Sequence, residues 1–292
     1  MTVSPNEPWT VLRLINWTKD YFAKSGVCEG RLAAEVLLAH VLSCRRIELY
    51  TRFDYQPTKQ QLETYRGLVQ RAKANEPIAY LVGTKEFYSL TFKVTADVLI
   101  PRPETEILVT EAVGHLKSLG RPGRMWDACT GSGCVAIATA VNVPDAAVLA
   151  TDISGPALAV AGENAALNKV DSRIRLRHAD LLNLPPDCGD MGQFDVITAN
   201  PPYIAQGQEI AEPVKHEPGV ALWAGQAGLD MIEPIIAAAP DLLAADGMLA
   251  IEFGYGQADQ VRELVVGTGR LAEPRILRDH QGIERAAVTI RR

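Results

Sequence analysis

The 292-residue sequence has little from which to build a metal centre or a disulfide framework. Its five cysteines, Cys28, Cys44, Cys129, Cys134 and Cys188, are odd in number and contain no CxxC pair. They read as reduced thiols, and neither a disulfide scaffold nor a zinc site is expected. The five histidines, His40, His115, His178, His216 and His280, are scattered with no HExxH and no i,i+4 pair, so no metal is expected. No apolar run approaches the roughly 18 residues that span a bilayer. The first residues, Met1 to Trp9, lack the basic-then-apolar layout of a signal peptide. A cytoplasmic protein without a membrane partner is the expectation. Repeats and low-complexity tracts are absent too.

What is present suffices for real cores. With 47% hydrophobic and 22% charged residues the chain can form one large domain or two unequal ones, and disorder as the main state is excluded. The net charge of -6 is uneven: residues 1–95 hold 13 Lys/Arg against 9 Asp/Glu, and the remainder 16 against 26. The two parts are expected to do different jobs. So slight a basic excess in the first part fits a solvated surface and does not by itself indicate a nucleic-acid partner.

The first part reads as a small helical bundle. Val11, Ile15 and Phe22 recur near helical spacing beside Leu14, Trp17 and Tyr21, and Leu37/Val41 and Leu38/Leu42 form i,i+4 pairs. Thr58 and Gln61 form a capping-box pattern ahead of Leu62, Tyr65, Val69 and Ala72, and that helix stops before Pro77. Leu90, Phe92 and Val94 alternate as in a strand. From about residue 104 strands alternate with helices, the pattern of a parallel sheet covered on both faces. Strands are expected at Arg124–Ala128, Ala147–Thr151, Ile174–Arg177, Phe194–Ala199, Met248–Phe253, Arg275–Arg278 and Ala287–Ile290. Helices are expected around Cys134–Val141, Ser154–Asn168, Leu229–Leu243 and Gln257–Val266. The resulting division is a helical domain over residues 1–85, a strand-like connector over 86–100, and a doubly wound α/β domain over 101–292.

Two motifs carry chemistry. Asp127-Ala-Cys-Thr-Gly131-Ser-Gly133 lies between the first α/β strand and its helix, where glycines let a ligand approach the backbone and the helix start offers free N–H groups. The run also satisfies GxGxxA, and Asp152 at the next strand end is placed to accept the ribose hydroxyls of NAD or of S-adenosylmethionine (SAM) alike. This motif leaves both open, beside the plain alternative of a tight turn. If SAM is bound, Asp127 points toward its amine.

Asn200-Pro201-Pro202-Tyr203 is more discriminating. Two prolines stiffen the backbone directly after a buried strand, at the sheet edge where such folds bind ligands. An amide or exocyclic amine is a poor nucleophile because its lone pair is delocalised. The Asn200 side-chain oxygen and the Pro201 carbonyl can each accept one of its N–H groups, orienting the nitrogen and stabilising the charge that develops on methylation. Tyr203 offers a flat face to the planar group. No ionised general base is needed if the proton leaves after transfer, and none is apparent beside the motif.

At these residues the chain resembles the HemK/PrmC family, bacterial methyltransferases that modify the glutamine of class 1 peptide chain release factors. Glu76-Pro77-Ile-Ala-Tyr80-Leu-Val-Gly83 resembles its domain junction, and Ile100-Pro101-Arg102-Pro103-Glu104-Thr105-Glu106 its Ile-Pro-Arg-Pro-Glu-Thr-Glu signature. Glu217-Pro218 with Ala221-Leu222, Glu252-Phe-Gly254 with Gln257, and Asp279 through Gly282 to Arg285 follow in family order. The likeness runs from about Arg31 to the last strand. It implies a class I SAM-dependent methyltransferase fold, Rossmann-like with a seven-stranded mostly parallel sheet, behind a helical domain that recognises a release factor.

By that resemblance Cys129, Thr130, Gly131, Ser132 and Gly133 line the cofactor and Asp152 holds its ribose. Asp180 and Leu181 flank the adenine, and Asn200, Pro201, Pro202 and Tyr203 bind the glutamine. Arg102, Pro103, Glu104 and Thr105 form a pocket wall; the plain alternative there is a helix start with Pro103 at its first position. SAM is then the co-substrate, a release factor the protein partner, and a monomer is expected. One departure stands out: the family's Asp-Leu-Gly-Thr-Gly is Asp127-Ala128-Cys129-Thr130-Gly131 here. If that position needs φ > 0, Cys129 costs on the order of 1 kcal/mol in strain. No histidine is placed by sequence to activate Cys129 as a thiol nucleophile.

Other readings compete. An adenine-N6 DNA methyltransferase also suits Asn-Pro-Pro-Tyr, but it calls for a basic groove and a target-recognition segment, against a pI ≈ 5.5 and no such insertion. The ribosomal-protein glutamine methyltransferase branch is set apart by Arg102–Glu106. A NAD-dependent oxidoreductase leaves Asn200–Tyr203 idle, and a non-catalytic binding module would keep the fold without turnover.

Overall fold

A computed structural model describes residues 8–181, 183 and 192–292, so Cys188 and most of the Met1–Trp9 segment lie outside the described residues. The chain divides into two compact units, Met1–Gly83 with Ala211–His216, and Thr84–Ile210 with Glu217–Arg292.

The first unit is helical where apolar residues recur at helical spacing and polar residues cap the starts. Helix α1 (Val11–Lys24) begins at Thr10, whose hydroxyl accepts the Arg13 amide, and buries Val11, Leu14, Ile15 and Phe22. Trp17 stays outside and stacks on Tyr21 at 5.1 Å. Helices α2 (Gly30–Val41), α3 (Lys59–Lys73) and α4 (Ile78–Val82) complete the core around Leu37, Leu38, Leu49 and Tyr65. The capping box at the start of α3 is formed in both directions: Thr58 N–H donates to Gln61 at 2.9 Å and Gln61 N–H to Thr58 at 3.3 Å. Glu35 is buried, yet Tyr50, Arg46 and Arg31 donate to it at 2.7, 2.9 and 2.9 Å. Burial pushes its carboxyl up, and these partners outweigh burial and hold it below the usual carboxylate range.

The second unit opens with a hairpin, β1 (Thr84–Phe87) and β2 (Leu90–Lys93). Its two-residue turn places Tyr88 and Ser89 at φ 49° and 62°, the handedness that matches strand twist. The strand character expected over residues 86–100 is found in this hairpin as far as Lys93. Phe87 and Phe92 sink into the core of this unit against Leu108, Val109 and Ala112, and the Lys93 N–H donates to buried Asn164 at 2.6 Å.

Next come helix α5 (Glu106–Ser118), β3 (Arg124–Ala128), α6 (Cys134–Asn142), β4 (Ala147–Asp152), α7 (Gly155–Leu167), β5 (Ile174–His178) and β6 (Phe194–Ala199). They are followed by α8 (Ile232–Leu242), β7 (Leu243–Glu252), α9 (Ala258–Gly267), β8 (Arg275–Arg278) and β9 (Glu284–Ile290). The seven strands lie in the order β5-β4-β3-β6-β7-β9-β8. The pairs from β5 to β7 are parallel and β9 runs antiparallel to both of its neighbours, as the expected fold requires. Alternate residues feed two cores. Met125, Val148, Val196 and Met248 face one, Trp126, Leu149, Ile197 and Leu249 the other. Strand β7 starts at Leu243 rather than Met248 because Leu243 already pairs with Phe194.

Candidate active site

Strand order reverses between β3 and β6, so their carboxyl ends part there and leave a crevice. Ala128 and Ala199 end the two strands in register, and the chain therefore delivers Cys129 and Asn200 side by side. A cavity of about 230 Å³ lies over this point. Of the residues singled out in the sequence, Arg102, Thr105, Asp127, Cys129, Thr130, Gly131, Ser132, Asp152, Asp180, Leu181, Asn200 and Pro202 line it. Pro103, Glu104, Gly133, Pro201 and Tyr203 do not. Pro103 and Glu104 belong to a single turn, Pro103–Thr105, that leads into α5, so the helix-start reading describes them.

The loop after β3 is tied by its own backbone. Thr130 N–H donates to the Thr151 carbonyl at 2.9 Å and Gly133 N–H to the Thr130 carbonyl at 2.8 Å. Cys129, Gly131 and Gly133 have φ of 56°, 54° and 80°, so Cys129 occupies a left-handed position, the condition under which strain was expected. The two glycines serve different ends. A Cβ on Gly133 would stand 2.8 Å from Ile137 Cδ1 and 3.2 Å from Ala161 Cβ, whereas one on Gly131 would meet nothing within 4 Å. Gly133 is thus needed for packing, and Gly131 bares backbone to the cavity.

Two carboxylates flank this loop. Asp152 accepts the Gly131 N–H at 2.8 Å and the Ser154 N–H at 2.9 Å; burial raises its pKa against these bonds. Asp127 is fully buried and takes the hydroxyls of Thr130 and Thr198, each at 2.6 Å. Burial pushes it up to about 6 in spite of them. Burial, with Asp152, Asp127 and Asp180 nearby, also drives the Cys129 thiol up. Cys129 is therefore held as a thiol, the wrong state for a nucleophile.

The loop after β6 is held by side chains from elsewhere. All six residues of β6 are buried, and Asn200 emerges with its Nδ2 donating to Thr105 Oγ1 at 3.1 Å. The Tyr203 carbonyl accepts from Gln257 Nε2 at 3.0 Å, while Gln257 Oε1 accepts the Gly254 N–H at 2.7 Å. A Cβ on Gly228 would stand 2.3 Å from the Tyr203 carbonyl oxygen, so only glycine fits there. The Tyr203 hydroxyl donates to Glu252 Oε1 at 3.5 Å.

Glu252 is 2% exposed, and burial pushes its carboxyl up to about 7. A buried carboxyl thus stands at the Tyr203 end of the motif, where the sequence reading named Glu252 only as part of Glu252-Phe-Gly254. The signal was an acid at the end of the otherwise apolar strand segment Met248–Ile251, where a charge has no packing reason to be. Glu217 is a second such residue: it accepts the Ile100 N–H at 3.1 Å and pairs with Arg102, fixing the cavity wall. Asn164 is a third, bonding the Ser132 carbonyl at 2.9 Å from α7. Among the described residues no group of three or more His, Cys, Asp or Glu side chains is gathered for a metal ion.

Comparison with known proteins adds to this geometry. The family model of the PrmC N-terminal domain matches residues 13–83 and that of the methyltransferase small domain residues 105–217. The chain is 41% identical over 289 residues to the release factor glutamine methyltransferase of Rhodopirellula baltica, covering 97% of this chain and 96% of the other. It is 38% identical over 288 residues to that of Geobacter sulfurreducens, with 98% of each covered. The chain belongs to the release factor glutamine methyltransferase family. A SAM-dependent methyltransferase from Agrobacterium tumefaciens shares the fold, with a TM-score of 0.50 at 16% identity over 71% of this chain and 69% of that one. Membership of the release factor glutamine methyltransferase family displaces the dinucleotide oxidoreductase reading.

Proposed function

We propose that the protein transfers a methyl group from SAM to the side-chain amide nitrogen (N5) of the glutamine in the Gly-Gly-Gln motif of a class 1 peptide chain release factor. The observation that carries this reading is the emergence of Asn200 beside the Cys129–Gly133 loop, with its amide nitrogen engaged by Thr105 so that the oxygen is the arm left for a substrate N–H. The cavity suits SAM: Gly131 presents bare backbone, Asp152 stands at the end of β4 where ribose hydroxyls can be accepted, and Asp127 and Asp180 add negative character for a cationic ligand. Bound SAM supplies a methyl group on a sulfonium, which needs no further activation.

What remains for the protein is to orient and desolvate an amide. Asn200 Oδ1 and the Pro201 carbonyl each accept one N–H of the glutamine, and Tyr203 lies against its plane. Thr130, Ser132, Gly133 and Leu181 complete the cofactor side, and Pro202 the substrate side. The helical unit recognises the release factor, and the enzyme works as a cytoplasmic monomer without metal.

The test is incubation with SAM and candidate release factors followed by mass spectrometry. A methyl group on the Gly-Gly-Gln glutamine is the expected product. Methylation of an adenine-containing oligonucleotide or of a ribosomal protein in place of the release factor would overturn the assignment.

A further inference from the structure

Two large apolar side chains stand partly in water at the cavity into which Asn200 emerges. Val220 is 54% exposed and Trp223 37%, and both line the cavity together with Asn200 and Pro202. Apolar surface left open at a cavity marks a place where a ligand completes the burial. The exposure of Trp223 is built in by its neighbours. Leu222 and Ala224 on either side of it are buried, and the indole between them is left on the cavity side.

This wall is fastened to the loop after β6. Ile204, the residue after Tyr203, forms a short parallel bridge with Trp223. Its N–H donates to the Leu222 carbonyl at 2.9 Å, and the Ala224 N–H donates to the Ile204 carbonyl at 2.9 Å. The Gln206 N–H extends the zipper to the Gly225 carbonyl at 2.8 Å, and the Trp223 N–H closes a turn on the Gly219 carbonyl at 3.1 Å. The indole lies along Gly219, where an added Cβ would stand 3.6 Å from its Cδ1. Asp152 and Asp180, proposed for the ribose and adenine, follow β4 and β5, which lie across β3 from β6. The fixed indole is therefore on the side of the crevice where Asn200 emerges.

Resting on the function proposed above, we infer that Trp223, with Val220, is the specificity-determining wall for the two glycines that precede the substrate glutamine, its indole being the surface on which their backbone lies. Once Asn200 holds the glutamine amide, the chain leading to it crosses the cavity rim within a residue or two, since successive Cα atoms are only about 3.8 Å apart. A backbone without Cβ can rest on a flat ring at about 3.5–4.0 Å. Glycine offers that bare surface, and the ring gains the cover it lacks. In an extended chain successive side chains point to opposite faces, so a methyl group at one of the two positions would meet the ring. It would lift the backbone and draw the glutamine amide away from Asn200. The loss then falls on orientation, where a displacement of about 1 Å costs on the order of 10²-fold in rate.

The experiment compares kcat/KM of the wild-type enzyme and of Trp223→Ala on intact release factors carrying Gly-Gly-Gln, Ala-Gly-Gln or Gly-Ala-Gln. Whatever alanine does to the release factor itself is common to both enzymes and cancels in the ratio. The wild type should discriminate against one of the two alanine substrates by about 30-fold or more. In Trp223→Ala that discrimination should shrink about tenfold, while kcat/KM on Gly-Gly-Gln falls about three- to tenfold through the lost contact. A merely structural loss would lower all three substrates alike. Trp223→Phe keeps a flat ring and should retain the discrimination. Val220→Ala should relax it to a smaller extent, and serves should Trp223→Ala fail to fold. SAM affinity by calorimetry should stay within about threefold of wild type in each variant. A penalty absent from the wild type, or equal in wild type and variants at both positions, or a loss of SAM affinity beyond that range, overturns the inference alone. Absence of Gly-Gly-Gln methylation by the wild-type protein overturns the functional reading, and the inference with it.

Discussion

The loop after β3 keeps its shape through its own backbone, whereas the loop after β6 borrows side chains from three other segments. In the first, the Thr130 and Gly133 amides close bonds within the loop or to β4, and positive φ at Cys129, Gly131 and Gly133 does the turning. In the second, Thr105, Glu252 and Gln257 reach in from before α5, from the end of β7 and from the start of α9. On the proposed function, the difference follows from what each loop would hold. A cofactor can be gripped by N–H groups that a turn supplies for nothing beyond its conformation. An acceptor pair aimed at one amide needs fixed side-chain oxygens, and those need partners of their own. Substitutions should therefore separate the loops: binding should suffer at the first, turnover at the second.

The sharpest break is expected at Asn200. Asn200→Ala removes one oriented acceptor and should lower turnover on the order of 10²-fold or more, while SAM affinity by calorimetry changes little. Near-normal turnover would remove the distinction between the loops. On the other side, Asp152→Ala should weaken SAM binding by about 10-fold to 100-fold, since it takes away the proposed ribose acceptor and frees the Gly131 and Ser154 amides it now receives. Turnover at saturating SAM should hold within a few-fold; a loss confined to kcat would reverse the assignment. Gln257→Leu is the milder probe of the second loop. It strands the buried Gly254 N–H and loosens the Tyr203 carbonyl, costing about 1–3 kcal/mol in stability by denaturation, with kcat falling more than SAM affinity.

The same contrast explains what could be read in advance. The β3 loop was legible because its determinants are local: glycines at fixed offsets, a strand before, a helix after, and Asp152 at the next strand end. Asn200–Tyr203 was legible as a motif for the same reason. Its support was not. Thr105 lies 95 residues from Asn200, and that pairing arises only when the turn before α5 folds over the end of β6. Glu252 could be noticed as an acid closing an apolar strand, but its partner Tyr203 is 49 residues away. The β1–β2 hairpin shows the same limit. Its alternation gave the strand, but only the packing of Phe87 and Phe92 against α5 shows to which unit it belongs.

Cys129 is where the first loop departs from its own rule, and it gives the smallest and most diagnostic effect. Its φ of 56° is left-handed, where an L-residue costs about 1–2 kcal/mol. Replacing it with glycine relieves that strain but adds about 0.5–1 kcal/mol of unfolded-chain entropy, so Cys129→Gly alone should shift stability little. Comparison with Cys129→Ala isolates the backbone, because alanine keeps the strain and loses the sulfur as glycine does. At an ordinary helical or extended position alanine is the more stable of the two. Here glycine should be, by about 0.5–1 kcal/mol in chemical denaturation. The reverse order would mean that the loop does not hold this residue left-handed in solution, and the backbone account of the β3 loop would fail at the position where a side chain makes it measurable.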